Sequence, residues 1–448
     1  MCADGESYHA HIMACYAGTT AGVARGPTFS ARAMRLAALP SRYGGAGLTH
    51  TDALADAAWA GSWAQSWFHM RLFFPRLLGH VALAPARSDD SSEPSSTQGG
   101  IMRSVGEAFA RIEAHDTLVM EARDQGISFP GPLMHRATTS SITHPTEYDA
   151  RSHTRSQSSY AAVVHTSEWL SLRDSLTDPR ERAWLLSVSM DSIGPLFMRA
   201  IPAFGPLVIS PAEFPIAVRH HFMERQPVVA GISQCGACRA HMGVGGDAMH
   251  YEECRGSADS GNWYARNHDV LERSIHVMLS QVFPGRGTVL RQDAFGAQGY
   301  SPQYLPDLSV LDYDGRGATM VTEVSIFRPT CQTHIGAACT SSASLAVERR
   351  RRGDYGALPP STQWRPFIMD TFGHMSPGTF AFFSELVRRR GDRDTRGRLE
   401  PEESMSWGTQ WRLRLSVVMA RIAAHTIATR ARGDFPLQPL QRGLAYHP

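Results

Sequence analysis

Four potential metal ligands within about twenty positions are the residues in this sequence best suited to chemistry. Cys235, Cys238, His250 and Cys254 follow the spacing C-x2-C-x11-H-x3-C. Thiolates and imidazole nitrogens are ligands that zinc prefers, and four of them complete a tetrahedron without an open position for a substrate. The spacing therefore predicts a structural zinc knuckle. His241 competes for the third position, although it follows Cys238 very closely.

Two other interpretations of the cysteines remain open at this point. The first is that the knuckle residues are simply buried, reduced cysteines beside an unrelated histidine. The second concerns Cys331, His334 and Cys339, which are ligand types in close succession. Because a fourth ligand is missing there, they are weak evidence for a further metal site.

Two acidic residues flank a predicted β-hairpin. The runs LPDLSVLDY and ATMVTEVSIF are of β type, and DYDGRG between them favours a turn. If the turn centres near Gly315, Asp307 and Glu323 become cross-strand neighbours with β-carbons about 5 Å apart. Such a carboxylate pair suits Mg²⁺, which activates water and stabilises charge on a phosphodiester. The alternative is a solvent-facing hairpin with ordinary surface acids.

Taken in order, these motifs resemble the C-terminal region of non-LTR retrotransposon polyproteins, where a restriction-like endonuclease follows the reverse transcriptase. In that family a Cys-Cys-His-Cys knuckle precedes an Arg/His/Asn-containing helix start, a Pro-Asp motif and an acidic residue in the next strand. The matching positions here are Arg266-Asn267-His268, Pro306-Asp307 and Glu323. The stretches LPSRYGGAGL and PFIMDTFG extend the resemblance over most of residues 35–390.

The resemblance implies a metal-dependent endonuclease domain in which Asp307 and Glu323 bind Mg²⁺ and Arg266 and His268 position the nucleic acid. Two departures limit this expectation. No Y/F-x-D-D polymerase signature is present, so we expect no nucleotide polymerisation by this chain. The family's (D/E)-x-K pattern has serine at Ser325 in place of lysine, and the chain contains no lysine at all. A compositional bias of the gene is the simplest explanation for that absence.

An arginine cluster, Arg349 to Arg352, is the nearest substitute for the lysine. It ends the next predicted helix, where related retroelement domains often place a basic residue before a tyrosine, here Tyr355. We expect Arg352 or a neighbour to contact the scissile phosphate, and Arg349, Arg350 and Arg351 to bind nucleic acid. Arginine neutralises phosphate charge but shuttles protons poorly because it stays protonated. Cleavage is therefore expected to be slow or lost. The alternative is a solvated helix end.

The elements that must position these residues follow the order α-β-β-β-α after Cys254: a helix near 266–283, strands at GTVLRQ and in the hairpin, then a helix ending in ERRRR. We therefore predict an α+β fold with a mostly helical N-terminal half, a zinc knuckle and a small restriction-endonuclease-like α/β domain. The predicted units are a helical remnant at 1–86, a flexible linker at 87–100, a helical region at 101–230, the knuckle at 231–260, the endonuclease-like domain at 261–390 and a helical tail at 391–448.

Composition narrows the class of protein. The 448 residues are 42% hydrophobic and 19% charged, as in globular domains, and the net charge of +2 does not by itself indicate a polyanion partner. The start lacks the features of a secretory signal, and no apolar run reaches the roughly 20 residues that cross a bilayer. We expect an intracellular protein, nuclear or cytoplasmic, without a membrane partner.

Three functions are compatible with these observations. The leading one is a retrotransposon-derived DNA endonuclease domain with structural zinc and catalytic Mg²⁺, with DNA as partner and RNA as a second candidate. The second is a non-catalytic nucleic-acid-binding relic in which the missing lysine has ended cleavage. The third is a zinc-stabilised protein-interaction module, which fits the near-neutral net charge.

Overall fold

The fold belongs to the α+β class, with long helices and a small mixed sheet. Among the described residues, no helix combines the length and the apolar character needed to cross a membrane. The computed structural model describes residues 29–48, 54–60, 62, 97–130, 156–190, 192–200, 207–226, 234–236, 238–239, 250–251, 254, 260–284, 288–291, 305–339, 343–355, 358–394 and 406–432.

Among the described residues of the N-terminal half, helices are the main regular elements. Residues at the helix starts explain where two of these helices begin. Ser30 caps the helix that starts at Ala31 by accepting the Ala33 N–H at 3.2 Å, and Asp178 is the N-cap of the helix that starts at Pro179. Buried aromatic residues, including Trp169 and Trp184, fill the core between the helices. The helices are α1 (Ala31–Ala38), α2 (Thr97–Asp124), α3 (Ser156–Ser175), α4 (Pro179–Ser189) and α5 (Glu213–His221).

The linker expected at 87–100 ends earlier than the sequence suggested. Helix α2 already begins at Thr97, so the last four residues of that range are helical, and 87–96 lie outside the described residues. Once a helix is nucleated, each added residue gains a hydrogen bond at little cost. The helix can therefore extend through the glycines that suggested a linker.

The LPSRYGGAGL stretch is a close-packed turn in the helical core. The Tyr43 hydroxyl lies 2.8 Å from Thr166 Oγ1, and the Gly44 carbonyl lies 2.8 Å from His221 Nε2. A Cβ on Gly45 would lie 1.8 Å from the Leu39 carbonyl oxygen, so only glycine fits there. The residues of this stretch therefore have a packing role.

Beyond the knuckle, each of the three predicted β-type runs contains a strand between helices, but the third run is divided into two strands and a further strand region follows. Helix α6 (Ser260–Val282) precedes strands β1 (Val289–Arg291), β2 (Leu308–Val310), β3 (Thr319–Thr322) and β4 (Val324–Phe327). Helices α7 (Ile335–Ala338) and α8 (Ala343–Asp354) then lead to β5 (Thr362–Trp364) and β6 (Phe367–Asp370), which the sequence analysis did not predict.

Pairing of the strands brings the hairpin and the last strand region together. Strands β1, β2 and β3 pair antiparallel in that order, and β5 pairs parallel to β3. Strand β4 pairs parallel to β6. The register is the same in both pairings: Val321 lies opposite Trp364, and Val324 lies opposite Phe367. Strands β3 and β4 therefore continue each other as one long strand that is interrupted at Glu323, and β5 and β6 continue each other beside it.

The last long helix lies between two cores. Helix α9 (Pro377–Asp394) packs on β6, and α10 (Trp407–Arg432) follows it. One side of α10 contributes Val417 and Ala424 to the N-terminal core, which contains Trp169 and Trp184. Another side contributes Leu415, Val418 and Ile422 to the sheet core, which contains Leu308 and Phe367. The segment expected as a helical tail at 391–448 thus supplies a helix to the centre of the fold.

Candidate functional site

The four predicted knuckle residues form one cluster. Their ligand atoms all lie within 4.8 Å of one another. Cys235 Sγ lies 3.7 Å from Cys254 Sγ, and Cys238 Sγ lies 3.2 Å from His250 Nε2. A tetrahedral zinc with Zn–S bonds of about 2.3 Å separates its sulfur ligands by about 3.8 Å. The cluster therefore fits a metal ion such as zinc, with His250 as the imidazole ligand; His241 lies outside the described residues.

Backbone contacts hold this cluster against the N-terminal core. The Arg239 N–H donates to the Cys235 carbonyl at 2.9 Å, which closes the turn between the first two cysteines. Tyr251 is fully buried, and its carbonyl accepts a hydrogen bond from Arg430 Nη1 of α10 at 2.5 Å. Burial, followed by the charges of the neighbouring cysteines, raises the pKa of the Tyr251 hydroxyl to about 12. Cys235, Tyr251 and Cys254 belong to the N-terminal core, so a metal bound by this cluster would be coupled to the packing of that core.

The second set of cysteines has other contacts. Cys331 Sγ lies 3.1 Å from Thr333 Oγ1, and Cys339 Sγ donates to the Pro179 carbonyl at 3.3 Å. Burial raises the pKa of the Cys339 thiol, which disfavours the thiolate that a metal would need. Among the described residues these cysteines and His334 are not part of a group of ligand atoms close enough for one ion.

The acidic residues of the hairpin stand opposite each other. Leu308 pairs with Thr322 in the β2–β3 register, so the next step places Asp307 opposite Glu323. Asp307 is 8% exposed, and its Oδ2 accepts the Val324 N–H at 2.7 Å. The strand geometry therefore brings the two carboxylates to one end of the hairpin, away from the turn at Gly315.

Helix α6 adds a histidine to this pair. His268 Nε2 lies 3.2 Å from Asp307 Oδ2. Burial alone would lower the pKa of His268, but the hydrogen bond to Asp307 and the charges of Asp307, Glu323 and Asp269 outweigh it and raise the pKa to about 9. The imidazole is therefore protonated near neutral pH and supplies a positive charge beside Asp307.

Helix α8 and the residue directly after it supply two partners for Glu323. Arg351 Nη1 lies 3.4 Å from Glu323 Oε1, and the Tyr355 hydroxyl donates to Glu323 Oε2. These residues are four positions apart, which places them side by side on a helix. Burial and then the charge of Asp307 raise the pKa of Glu323, while Tyr355, Arg351 and His268 oppose that rise. Two acidic groups are thus held close together by neighbouring cations and a hydroxyl.

Ser325, which the resemblance places where the family has lysine, is also part of this site. Ser325 is buried, and its Oγ lies 3.5 Å from Arg351 Nη2. The arginine that approaches this position is therefore Arg351, which the sequence analysis assigned to nucleic-acid binding. Arg352, which it assigned to the scissile phosphate, instead lies with its guanidinium 6.0 Å from the centre of the Trp364 ring. The spacing of four positions from Tyr355 is the sequence signal that distinguishes Arg351 from Arg352.

The other residues expected to bind nucleic acid are at the surface. Arg266 is exposed near the start of α6, two positions before His268. Arg349 and Arg350 are exposed on α8, just before Arg351. Their positions bring additional positive charge to the two helices that carry the partners of the carboxylates.

The carboxylate pair has the donor chemistry for a hard divalent cation. Mg²⁺ is typically bound by one or two carboxylates, with water and substrate phosphate oxygens completing its shell. Asp307 and Glu323 supply oxygen ligands. Burial, followed by the negative charge of Asp307, raises the pKa of Glu323, and a divalent cation would offset the repulsion between the two carboxylates. The residues present therefore fit such an ion.

Comparisons of the chain with protein families, with curated proteins and with solved structures found no match.

Proposed function

We propose that this chain is a retrotransposon-derived nucleic-acid-binding protein with a metal-dependent endonuclease-like domain. The observation that carries the proposal is the convergence of Asp307, Glu323, His268, Arg351 and Tyr355 at one end of the hairpin. Acidic metal ligands beside a guanidinium are the groups that phosphodiester hydrolysis needs. Ordinary surface acids would not be mostly buried and held by three partners from α6, α8 and the residue after α8.

The topology around this site supports the finer assignment of the domain. Helix α6, strands β1 to β4, helices α7 and α8 and strands β5 and β6 surround the carboxylates in that order, and Glu323 follows the Pro-Asp acid by sixteen positions. This is the order that the resemblance to restriction-like endonucleases of retroelements implies. We therefore interpret α6 to β6 as an endonuclease-like domain, with DNA as its first candidate substrate and RNA as its second.

The cysteine cluster completes the proposal as a structural zinc site. Four protein ligands within 4.8 Å of one another leave no coordination position for a substrate. The cluster also packs on the helical core through Tyr251 and Arg430. Zinc would therefore hold the segment between the helical half and the endonuclease-like domain in place.

In the proposed reaction each side chain has a separate task. Asp307 and Glu323 would hold Mg²⁺, which would polarise the phosphodiester and activate water when bound. His268 and the Val324 N–H orient Asp307, and Tyr355 orients Glu323. Arg351 would neutralise charge on the phosphate. Arg351, which approaches Ser325, stays protonated and is a poor proton carrier, so we expect weak cleavage.

Nicking of supercoiled DNA tests this function. The wild-type protein should nick weakly and only with Mg²⁺, Asp307→Ala should remove nicking, and Ser325→Lys should increase it because an ammonium helps to orient water. Asp312→Asn is the matched control, since Asp312 is exposed at the far end of the same hairpin. Equal nicking by the wild type and Asp307→Ala would show that this site does not cleave DNA.

A non-catalytic nucleic-acid-binding relic is the second candidate function. The contact between Arg351 and Glu323, beside a serine in the lysine position, favours it. In that case the wild type would bind DNA with a strong salt dependence but would not nick it under any divalent ion. Recovery of nicking by Ser325→Lys would then identify the serine as the cause of the loss.

A further inference from the structure

Arg351 is in contact with both the carboxylate pair and the position of the missing lysine. Its Nη1 lies 3.4 Å from Glu323 Oε1, and its Nη2 lies 3.5 Å from Ser325 Oγ. A third contact joins Nη1 to Asp354 Oδ2 at 3.9 Å on the same helix. The Arg351 side chain is 31% exposed, whereas that of Glu323 is 15% exposed. A permanently charged group thus neutralises Glu323 and still reaches solvent.

The two acids of the pair differ in how they are held. Asp307 receives its contacts from Val324 and His268 on Oδ2, so with respect to the described part of the chain Oδ1 retains capacity for a cation. Glu323 has one partner on each oxygen: Arg351 on Oε1 and the Tyr355 hydroxyl on Oε2. A cation can therefore coordinate Asp307 directly, but it must compete with Arg351 for Glu323.

A phosphate group would resolve this competition. Guanidinium groups form strong bidentate hydrogen bonds with phosphate oxygens, and Arg351 is exposed enough to turn towards such a ligand. Movement of the guanidinium onto a phosphate would release Glu323 Oε1. The released oxygen would then complete the site with Asp307, and the cation would in turn contact the same phosphate.

We propose that Arg351 makes divalent-cation binding at Asp307 and Glu323 conditional on a nucleic-acid phosphate. In the free protein the guanidinium occupies Glu323, and in the complex it moves to the phosphate. This inference rests on the proposed function, because it assumes that the carboxylate pair is the cation site. Such coupling is reciprocal: the phosphate strengthens cation binding by the same factor by which the cation strengthens phosphate binding.

Calorimetric titration of Mg²⁺ into the DNA-free protein is the first test. Arg351→Gln should bind Mg²⁺ about tenfold more tightly than the wild type, because typical coupling between sites is about 5–150-fold. Arg351→Lys keeps the charge and should stay close to the wild type. Arg316→Gln removes an exposed charge at the hairpin turn and is the control for net charge. Far-ultraviolet circular dichroism and zinc content verify that each variant is folded.

A second titration adds DNA and uses Ca²⁺, so that the duplex is not cut. The signal of Ca²⁺ binding to the duplex alone is subtracted. A short duplex should then increase the Ca²⁺ affinity of the wild type by a larger factor than the Ca²⁺ affinity of Arg351→Gln. The ratio of the two factors measures the contribution of Arg351. Equal factors, or equal Mg²⁺ affinities of the DNA-free wild type and Arg351→Gln, would overturn the inference.

Asp307→Ala separates this outcome from failure of the proposed function. If Mg²⁺ binds the wild type and Arg351→Gln equally but not Asp307→Ala, the carboxylate pair is the cation site and only the inference about Arg351 is wrong. If Asp307→Ala leaves Mg²⁺ affinity unchanged, or none of the proteins binds Mg²⁺, both the cation site and the inference are overturned.

Discussion

Replacement of Asp370 by asparagine should stabilise the protein. Asp370 ends strand β6 and is 1% exposed. Its Oδ1 accepts the N–H groups of Phe372 at 2.9 Å and His374 at 3.0 Å, and its Oδ2 accepts the Ser187 hydroxyl. Asparagine keeps an oxygen acceptor for the two N–H groups and can donate its amide to Ser187 Oγ, while it removes a buried charge.

The magnitude follows from the pKa of this carboxyl group. Burial raises the pKa of Asp370 from 3.8 to about 6, although the charge of His374 and the hydrogen bonds oppose the rise. That interval corresponds to about 3 kcal/mol, at about 1.4 kcal/mol for each pKa unit. Because the folded-state pKa is raised, the favourable contribution is complete below pH 3.8 and is lost as the pH rises through about 6. Above pH 6 the ionised carboxylate therefore weakens the fold.

Urea unfolding of the wild type and Asp370→Asn at pH 5 and pH 8 measures this effect. The variant should be more stable at pH 8, by up to about 3 kcal/mol, and its advantage should shrink at pH 5. Asp312→Asn is the control, because Asp312 is exposed and asparagine tolerates its positive φ of 52°. Loss of stability in Asp370→Asn at pH 8 would show that hydrogen bonds to the charged carboxylate outweigh its desolvation, which would refute the reasoning.

Three further predictions follow from the sites and the packing. Metal-replete protein should contain about one zinc ion per chain, and Cys254→Ser should remove it and lower the melting temperature; elemental analysis that finds no zinc would contradict the knuckle. Gly45→Ala should destabilise the fold by roughly 3 kcal/mol or more, since its Cβ would collide with the Leu39 carbonyl, and a normal urea midpoint would disprove this. Joint replacement of Arg349 and Arg350 by glutamine should weaken binding to all DNA sequences and reduce the salt slope by about 2, measured by fluorescence anisotropy. Unchanged, salt-insensitive binding would instead favour the protein-interaction module.

Local sequence patterns predicted the cysteine cluster and the position of the carboxylate pair. The knuckle follows from four spaced ligand types, and the opposition of Asp307 and Glu323 follows from the turn between two β-type runs. Both features depend on residues that are close in the chain. In contrast, the choice of Arg351 over Arg352 depends on the rotation of α8 over the sheet, which the run of four arginines does not reveal.

Long-range packing accounts for the elements that the sequence analysis missed. Strands β5 and β6 are short, β5 is mostly polar, and both pair parallel with strands about forty positions earlier in the chain. Asp370 is similar, because its Ser187 partner comes from a helix in the N-terminal half. Neither contact leaves a periodic signal in the sequence.

Helix α10 has a consequence for the time at which this protein can fold during synthesis. Val417 belongs to the N-terminal core and Leu415 belongs to the sheet core. Each core therefore lacks part of its packing surface until residues 407–432 have been synthesised. A ribosome releases the earlier helices and strands long before that point. We therefore expect the nascent chain to remain without a closed core, and to depend on chaperones, until this last helix emerges and both halves close together.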